Sequence, residues 1–498
     1  MVPIALRLLF AVSTATAAVV ARDQPSSPQP PLLAHRQVDD GGAAEFGDGY
    51  VRYPLHTSER RRALGDAAID RAIVSLAKLE ARQSVESGVT NIEDGLIYSV
   101  EIGIGTPKQQ IEVVIDTGSS ELWVNPDCNN IENRLSTSMC KAVVHYEPRK
   151  SETAVNLRRN GTITYGSGDV KFSYVADTVT VGGNTEIKNQ TFGVATQSTD
   201  IFMGIMGLGP RLGRPRESNY SLLLESLVEQ RHIRSRAFSL DLRSVNSRTG
   251  AVIFGGIDTT KFIGDLSKTP MLSPQETPQG ADRYYVYMTS ISLSSSGGES
   301  RKVFDKGLTK GVAVFLDSGG TVCQLPQALF KGIGDAFPGA TLDSRSGFYQ
   351  VDCDKATSAN GTIDFGFGDK VIRVGYADFI WRPSRNVCVL GVRALASQRG
   401  EPILGASFLR AAYVVYDQEN RNLHLAQAAN CGDGDIVAIG QGSNAVPSDA
   451  KGKCTVASSG DGVQSADKKN AAGRMTDGAS WVRLLAAGGL SVLYISFA

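Results

Sequence analysis

Two apolar segments of the chain each run into an acidic turn. Ile111–Ile115 leads into Asp116-Thr117-Gly118-Ser119, and Val312–Leu316 leads into Asp317-Ser318-Gly319-Gly320, 201 residues further along. A lone buried carboxylate is costly, but two that meet can share one proton, because both cannot ionise at short separation. One then acts as a base toward water while the other, protonated, polarises a carbonyl. The pair predicts hydrolysis at a carbonyl carbon.

The surroundings of the two turns are repeated as well. Ile205-Met206-Gly207-Leu208-Gly209 follows the first turn, and Ile403-Leu404-Gly405-Ala406 follows the second. A single Asp-Thr/Ser-Gly tripeptide usually marks only a turn or a helix cap. Two copies in matched contexts instead predict two related lobes, whose acids meet on a pseudo-two-fold axis.

The elements that must carry these turns are predicted to be strands. Between Leu96 and Asn430, short runs of residues that favour strands are separated by the turn residues Gly, Asn, Asp and Pro. This pattern is typical of an all-β domain. The clearest predicted strands are Ile111–Ile115, Asp169–Val181, Ala251–Phe254, Tyr284–Ile291, Val312–Leu316, Val371–Val374 and Ala412–Tyr416. Helices are predicted only at Ser221–Gln230 and Pro326–Ala336.

Composition excludes several other classes of protein. The 498 residues are 42% hydrophobic, which is enough for a sizeable core, and the 51 Lys and Arg balance the 51 Asp and Glu. No net field therefore attracts nucleic acid, and we predict no nucleic-acid partner. None of the 7 Cys forms a CxxC pair and no GxSxG elbow occurs, which argues against a zinc ribbon and a serine hydrolase. We predict neither metal nor cofactor.

The N-terminal residues indicate a secreted precursor. Residues 1–21 are typical of a signal peptide, the alternative being a buried N-terminal helix. Residues 22–85 are interpreted as a pro-segment, with cleavage after the basic cluster Arg60–Arg62 or after Arg82. Within it we predict a strand at Gly49–Thr57 and a helix at Ala63–Lys78. The alternative is a small N-terminal subdomain that stays attached.

The C-terminal residues indicate an anchor. Residues 431–480 are rich in Gly, Ser, Ala and Asp and are predicted to be a linker, and residues 481–498 are apolar apart from Arg483. Small residues at Asn470-Ala471-Ala472, a polar spacer and this tail match a GPI-anchor signal, with Asn470 as the attachment site. A transmembrane tail anchor and a C-terminal core helix remain as alternatives.

Five segments together resemble the pepsin-like aspartic proteases. They are Ile102–Pro107, Asp116–Val124, Ile163–Asp169, Asp317–Gly319 and Pro402–Ala426. With the predicted precursor segments and tail, the chain is most similar to the fungal GPI-anchored, yapsin-like branch. The resemblance implies an all-β, bilobal fold with a central cleft over residues 86–430, divided into an N-lobe of about 86–265 and a C-lobe of about 266–430.

The resemblance also implies roles for individual residues. Asp116 and Asp317 would hold the nucleophilic water, Thr117 and Ser318 would bridge the lobes, and Ser119 would bind the outer oxygen of Asp116. The predicted residues that support the site or bind substrate are Thr117, Gly118, Ser119, Trp123, Tyr165, Gly166, Ser167, Asp169, Ser318 and Gly319.

The same resemblance implies the movable parts and the partners of the site. Tyr165 would lie at the tip of a flap with Trp123 behind it, although a lone Tyr is usually a plain hairpin residue and a lone Trp is usually core. Asp169 would favour a basic substrate residue, the alternative being a solvated charge. The implied partners are an extended peptide or protein substrate and pepstatin-like inhibitors, and the implied state is a monomer at the cell surface.

One position departs from the family pattern. Gly320 stands where the family usually has a hydroxyl residue that binds the outer oxygen of Asp317. Despite this departure, the two intact aspartates and the Tyr165 flap predict an active endopeptidase, and the need for a singly protonated pair predicts an acidic pH optimum. A catalytically weak or inactive peptide-binding relative remains as the alternative.

Cysteines and glycosylation sequons complete the predictions for a secreted chain. Cys128–Cys140 would close a loop beside the first active-site strand, and Cys353–Cys388 resembles the pair found in the C-lobe of the family. Cys431–Cys454 is a further possible pair, which leaves Cys323 buried and unpaired. The candidate glycosylation sites are Asn160, Asn189, Asn219 and Asn360.

Overall fold

The computed structural model describes residues 45–57 and 98–456, apart from 48, 133, 167, 183, 212–219, 245–248, 296–299, 308, 358–360, 385, 398–399 and 433. The predicted signal peptide, the predicted helix of the pro-segment, the linker beyond residue 456 and the apolar tail lie outside the described residues. So do four of the predicted site residues, Ser167, Asn219, Asn360 and Asn470.

Strands dominate both halves of the chain. In the first half they are β1 (Glu45–Gly47), β2 (Tyr50–Thr57), β3 (Tyr98–Ile104), β4 (Gln109–Asp116), β5 (Leu122–Val124), β6 (Val155–Thr164), β7 (Asp169–Val181), β8 (Thr185–Thr199), β9 (Gly204–Gly207), β10 (Ala237–Asp241), β11 (Thr249–Phe254), β12 (Gly256–Asp258) and β13 (Phe262–Pro270). In the second half they are β14 (Tyr285–Met288), β15 (Ser290–Ser295), β16 (Ser300–Asp305), β17 (Val312–Leu316), β18 (Cys323–Leu325), β19 (Thr341–Asp343), β20 (Phe348–Val351), β21 (Gly361–Phe367), β22 (Lys370–Gly375), β23 (Ile380–Ser384), β24 (Val387–Leu390), β25 (Val392–Ala394), β26 (Ile403–Leu404), β27 (Ala412–Asp417), β28 (Asn422–Ala428), β29 (Ile436–Ala438) and β30 (Gly452–Lys453).

Helices are short. They are α1 (Arg134–Ala142), α2 (Leu223–Glu229), α3 (Gln327–Ala336), α4 (Asp354–Thr357), α5 (Tyr376–Phe379) and α6 (Ala406–Leu409). The apolar residues Leu329, Phe330 and Ile333 recur at helical spacing in α3 and are all buried. At the start of β7 burial alternates with a period of two residues instead. Val170 and Phe172 are buried, and Lys171 between them in the sequence is exposed. The predicted all-β fold is confirmed.

The sequence repeat corresponds to a repeated strand arrangement. In the first half β4 runs parallel to β9, which also pairs antiparallel with β5. In the second half β17 runs parallel to β26, which pairs antiparallel with β18. Each acidic turn therefore follows a buried strand that pairs with an equivalent partner strand. The two halves of the chain form the two lobes of the fold.

One large sheet of 15 strands contains strands from both halves of the chain. Its strand order is β30-β13-β28-β27-β10-β11-β2-β3-β4-β9-β5-β8-β7-β6, with β1 added to β2 and β7 also paired to β3. The second half adds the sheets β14-β17-β26-β18-β25, β16-β15-β21-β22 and β19-β20-β24-β23. A core cluster with members from both halves packs against these sheets, and each fully buried Leu, Ile or Phe side chain contributes about 1.5–3 kcal/mol.

A strand of the predicted pro-segment lies inside the large sheet. β2 falls within the predicted strand Gly49–Thr57, and it pairs with β11 on one side and with β3 on the other. Val51 lies opposite Phe254, and Thr57 lies opposite Tyr98. This part of the precursor is therefore an integral strand of the described fold.

The prediction of a linker that begins at residue 431 needs correction. β29 pairs with β12, β30 pairs with β13, and Cys431 forms a disulfide with Cys454. Ile439, Ala445 and Ala450 are buried against the large sheet. Two strand pairings, a few buried apolar residues and a disulfide dock this segment, and its Gly- and Ser-rich composition gave no sign of them.

The described residues contain no helix that is long and apolar enough to cross a membrane.

Candidate active site

Asp116 is the last residue of β4, and its own turn holds its carboxyl group. The backbone N–H of Gly118 donates to Asp116 Oδ1 at 2.8 Å, and the hydroxyl of Ser119 donates to Asp116 Oδ2. Leu208 N donates to the Asp116 carbonyl oxygen at 2.8 Å, which ties the turn to the partner strand. The side chain is thus buried and oriented, with both carboxylate oxygens hydrogen-bonded.

Asp317 follows β17 in the equivalent place. The backbone N–H of Gly319 donates to Asp317 Oδ1 at 3.0 Å, and Asp317 N donates to the Leu404 carbonyl at 3.1 Å. In the part of the chain that the structure describes, no hydroxyl group donates to Asp317 Oδ2. The equivalent oxygen of Asp116 accepts a hydrogen bond from Ser119, and in the second turn Gly320 occupies the position that corresponds to Ser119.

The two turns are joined by reciprocal hydrogen bonds between the lobes. Thr117 N donates to Ser318 Oγ at 3.1 Å, and Ser318 N donates to Thr117 Oγ1 at 2.9 Å. Each hydroxyl then donates to a carbonyl of the opposite strand: Thr117 to Leu316 at 2.8 Å, and Ser318 to Ile115 at 2.9 Å. Both hydroxyls are buried, so this group of four bonds fixes the spacing of the two aspartates.

The glycines of the turns leave room for the opposite carboxyl group. A Cβ atom on Gly118 would lie 2.7 Å from Asp317 Oδ1, and a Cβ atom on Gly319 would lie 2.5 Å from Asp116 Oδ1. Each turn therefore packs directly against the other aspartate. The structure brings the two predicted acids together at the boundary between the lobes.

We expect Gly319→Ala to lower kcat/KM by about 100-fold, because the added methyl group must displace the Asp116 carboxyl and misplacement by about an ångström has that order of effect. Peptide hydrolysis at the optimal pH measures the loss. Gly375→Ala is the matched control, since a Cβ atom there meets nothing within 4 Å. Full activity of Gly319→Ala would contradict the close approach.

The environment of Asp317 favours its protonated form. Burial raises the pKa of Asp317 well above its ordinary value, and the negative charge of Asp116 and a hydrogen bond with that carboxyl raise the pKa further. The carboxyl is enclosed by protein although part of its surface still faces the cleft. One proton held between the two acids is what acid–base chemistry at a carbonyl needs.

Tyr165 lies at the tip of the β6–β7 hairpin. Its backbone N–H donates to the Gly168 carbonyl at 2.7 Å, and Trp123 Nε1 donates to its hydroxyl at 2.8 Å. Burial raises the pKa of Tyr165, and the nearby charge of Asp116 adds to the effect, so the phenol stays neutral. Asp169, one residue beyond Gly168, pairs with Thr199 in the adjacent strand, and a Cβ atom on Gly166 would meet nothing within 4 Å.

A second polar cluster lies behind this hairpin, and the sequence analysis missed it. Tyr220 donates a hydrogen bond to Glu121, and the hydroxyls of Tyr220 and Tyr174 lie 2.9 Å apart. The Arg159 guanidinium lies 5.4 Å from the centre of each of these two rings. Burial raises the pKa of Glu121. The cluster ties both flap strands to the body of the first lobe.

Arg283 was also missed, because it precedes β14 in a segment without any motif. Its Nη1 donates to the carbonyl oxygen of Gly118, in the turn of the opposite lobe. No signal in the sequence alone pairs two residues that are 165 positions apart.

The described residues contain one grouping of metal-ligand type, formed by Cys128, Cys140 and His145. Cys128 and Cys140 form a disulfide, so their sulfurs are not thiolate ligands. Cys353 and Cys388 form a second disulfide. Cys323 is free and buried, and burial raises its thiol pKa to about 11, which makes it unreactive.

Two of the candidate glycosylation sites can be placed. Asn160 is exposed on β6, where its Oδ1 accepts a hydrogen bond from Ser173. Asn189 is exposed on β8 at a bulge, with a φ of 53°.

We expect Gly320→Ser to raise kcat/KM about ten-fold, or about 1.4 kcal/mol, near the upper end of the net contribution of a neutral hydrogen bond. A Cβ atom at Gly320 would lie 3.6 Å from Asp317 Oδ2 and 3.4 Å from Ile403 Cγ2, so a serine hydroxyl fits within reach. The comparison of Gly320→Ser with Gly320→Ala in a peptide assay isolates the hydroxyl. Equal activities would show that the missing donor is unimportant.

Comparisons with known proteins agree with this geometry. Residues 97–428 match the family model described as eukaryotic aspartyl protease. The chain is 31% identical over 407 residues to the probable aspartic-type endopeptidase opsB of Aspergillus oryzae, covering 78% of this chain and 79% of that protein. It is 33% identical over 359 residues to candidapepsin of Candida tropicalis, covering 70% and 84%.

A solved structure supports the same fold. The crystal structure of the aspartic proteinase from Irpex lacteus aligns with a TM-score of 0.53 at 24% identity, and the alignment covers 67% of this chain and 95% of that one. The predicted resemblance to pepsin-like proteases is confirmed. The chain belongs to the eukaryotic aspartyl protease family, and the class of enzyme that this family implies is the aspartic-type endopeptidase.

Proposed function

We propose that the chain is a secreted, cell-surface endopeptidase in which Asp116 and Asp317 activate a water molecule for attack on a peptide bond. The observation that carries the proposal is the packing of each active-site turn against the opposite aspartate. A Cβ atom added to Gly118 or Gly319 would lie within 2.7 Å of a carboxyl oxygen of the aspartate in the other turn. The Asp317 carboxyl also hydrogen-bonds with that of Asp116, and two carboxyls in contact share one proton, which is the state that this chemistry requires.

The reaction uses the two acids in different roles. Asp116 accepts two hydrogen bonds, which suit a carboxylate, and it takes a proton from the water as the oxygen bonds to the carbonyl carbon. Asp317, protonated, donates to the carbonyl oxygen and stabilises the tetrahedral intermediate. Asp116 then passes its proton to the leaving nitrogen as the C–N bond breaks, and Asp317 recovers its proton from the intermediate.

Substrate is held in an extended conformation in the cleft. Tyr165 and its hairpin close over the peptide, which excludes water and positions the scissile bond. Main-chain hydrogen bonds of the strand-addition type provide affinity, and alternate side chains enter pockets. Asp169, on the flap, favours a basic residue near the cleaved bond. Pepstatin-like inhibitors would occupy the same cleft.

The precursor segments set the location of the enzyme. The signal peptide directs secretion, cleavage after Arg60–Arg62 or Arg82 activates the precursor, and a GPI anchor at Asn470 attaches the monomer to the cell surface. If phosphatidylinositol-specific phospholipase leaves the protein in the membrane fraction of expressing cells, the anchor proposal fails and a tail anchor replaces it.

A peptide-binding protein without activity is the second candidate, and Gly320 is the observation that favours it. One experiment separates the two: the full chain is expressed in a secretory host, incubated at acid pH, and assayed for cleavage of a peptide library with and without pepstatin. Pepstatin-sensitive cleavage supports the endopeptidase. Binding of pepstatin without any cleavage supports the second candidate.

A further inference from the structure

Arg283 connects the second lobe to the catalytic turn of the first. It lies two residues before β14, and its Nη1 donates to the carbonyl oxygen of Gly118. This bond crosses the same boundary as the Thr117–Ser318 hydrogen bonds. It differs from them because it brings a permanent positive charge to the Asp116 turn.

Two neighbours on its own lobe, Glu401 and Phe315, hold the guanidinium in place, and Tyr285 orients Glu401. Glu401 Oε1 lies 3.5 Å from Arg283 Nε, and Tyr285 donates a hydrogen bond of 3.2 Å to the same Glu401 oxygen. The Phe315 ring lies beneath the guanidinium, 5.3 Å from its central carbon. The side chain of Arg283 is 24% exposed, and that of Glu401 is 20% exposed.

Arg283 Nε makes no hydrogen bond within the described residues. Glu401 therefore acts mainly as a counter-charge, and Nη1 makes the directed contact to Gly118. The arrangement places an oriented cation beside two acids, and the packing on Phe315 keeps it oriented.

We propose that Arg283 is a positioning residue that fixes the Asp116 turn from the opposite lobe and supplies a positive charge beside the two carboxyls. Glu401 orients this charge and partly balances it. The proposal rests on the proposed function of Asp116 and Asp317, and it adds a determinant of the pH range in which they work.

The charges around Asp317 set the sign of the effect. Burial raises the pKa of Asp317, the charge of Asp116 raises it further, and Arg283 opposes both effects. Tyr285 and Tyr416 also face Asp317, but burial raises the pKa of both phenols, so they stay neutral. Loss of Arg283 therefore favours the protonated forms of the pair, and both limbs of the activity profile move to higher pH.

The test is the pH dependence of kcat/KM for one peptide substrate, measured for the wild type, Arg283→Met, Arg283→Lys and Glu401→Gln. Arg283→Met should move both limbs upward by about 0.5–1 pH unit, which is modest for the loss of a nearby opposite charge. It should also lower kcat about ten-fold through looser positioning. Arg283→Lys should keep the wild-type limbs but not the full kcat.

Glu401→Gln removes a negative charge, so both limbs should move to lower pH. Limbs that stay within 0.2 pH unit of the wild type in Arg283→Met would overturn the inference. If Arg283→Met does not fold, Glu401→Gln provides the test, and limbs of its pH profile that do not move to lower pH would overturn the inference. Failure of the proposed function looks different, because the wild type would then show no pepstatin-sensitive cleavage in any buffer.

Discussion

Asp317→Asn is expected to abolish peptide hydrolysis, with kcat/KM reduced by about 10³-fold or more at every pH. The amide keeps the size of the side chain, but it cannot hold and return the proton that polarises the carbonyl. Single-turnover assays of the purified, activated chain measure the loss. Asp369→Asn, in the exposed turn between β21 and β22, is the matched control and should behave as the wild type.

The same variant should change stability in the opposite direction. The pKa of Asp317 is raised in the folded chain, so the folded state binds its proton more tightly than an unfolded carboxyl with a pKa of about 3.9. Stability from this group is complete below that value and is lost as the pH rises through the folded pKa. The Tm of Asp317→Asn should exceed that of the wild type by an amount that grows between pH 4 and pH 7.

A residual rate in Asp317→Asn that remains sensitive to pepstatin would refute the proposed role. A Tm difference that does not depend on pH would show instead that the pKa of Asp317 is not raised. The two measurements are independent, because the first tests the chemistry and the second tests the electrostatic environment.

Replacing Cys431 and Cys454 together by serine is expected to lower the free energy of unfolding by about 3 kcal/mol. The disulfide closes a loop between residues 23 positions apart, and opening it returns chain entropy to the unfolded state. A domain of this size should lose about 5 °C in Tm. Differential scanning calorimetry of the mature chain measures the shift.

Hydrogen exchange then locates the effect. The amides of β29 should lose protection in the double serine variant, because β29 lies within the loop that the disulfide closes, whereas those of the β21–β22 hairpin should not change. Unchanged protection of β29 would mean that the burial of Ile439, Ala445 and Ala450 holds the segment without the disulfide.

The features that sequence could predict are those with local patterns. The strands Asp169–Val181 and Val312–Leu316 are found with the predicted bounds, because period-two alternation and a continuous apolar run are strong signals. The predicted helices Ser221–Gln230 and Pro326–Ala336 contain α2 and α3. The repeated acidic turns were enough to predict that Asp116 and Asp317 would meet.

The features that sequence could not predict depend on contacts between distant residues. Arg283 hydrogen-bonds to Gly118 across the lobe boundary, and Tyr220 hydrogen-bonds to Glu121 behind the flap. Arg283 and Tyr220 both lie in segments without periodicity, so no local pattern indicated these contacts. The docked segment after residue 431 was mistaken for a linker, because it is held by a disulfide, by short strand pairings with distant residues and by scattered buried side chains rather than by an apolar run. Composition cannot show such contacts.

The docked segment would limit how far the enzyme can work from the proposed anchor. With residues 431–454 held against the body, only the 14 residues from 457 to Asn470 connect the described fold to the proposed attachment site. A fully extended chain of that length spans roughly 50 Å, compared with roughly 135 Å if the chain were free from residue 431. The active site would then sample a thin layer above the bilayer, and proteins embedded in or passing through that layer would be its accessible targets.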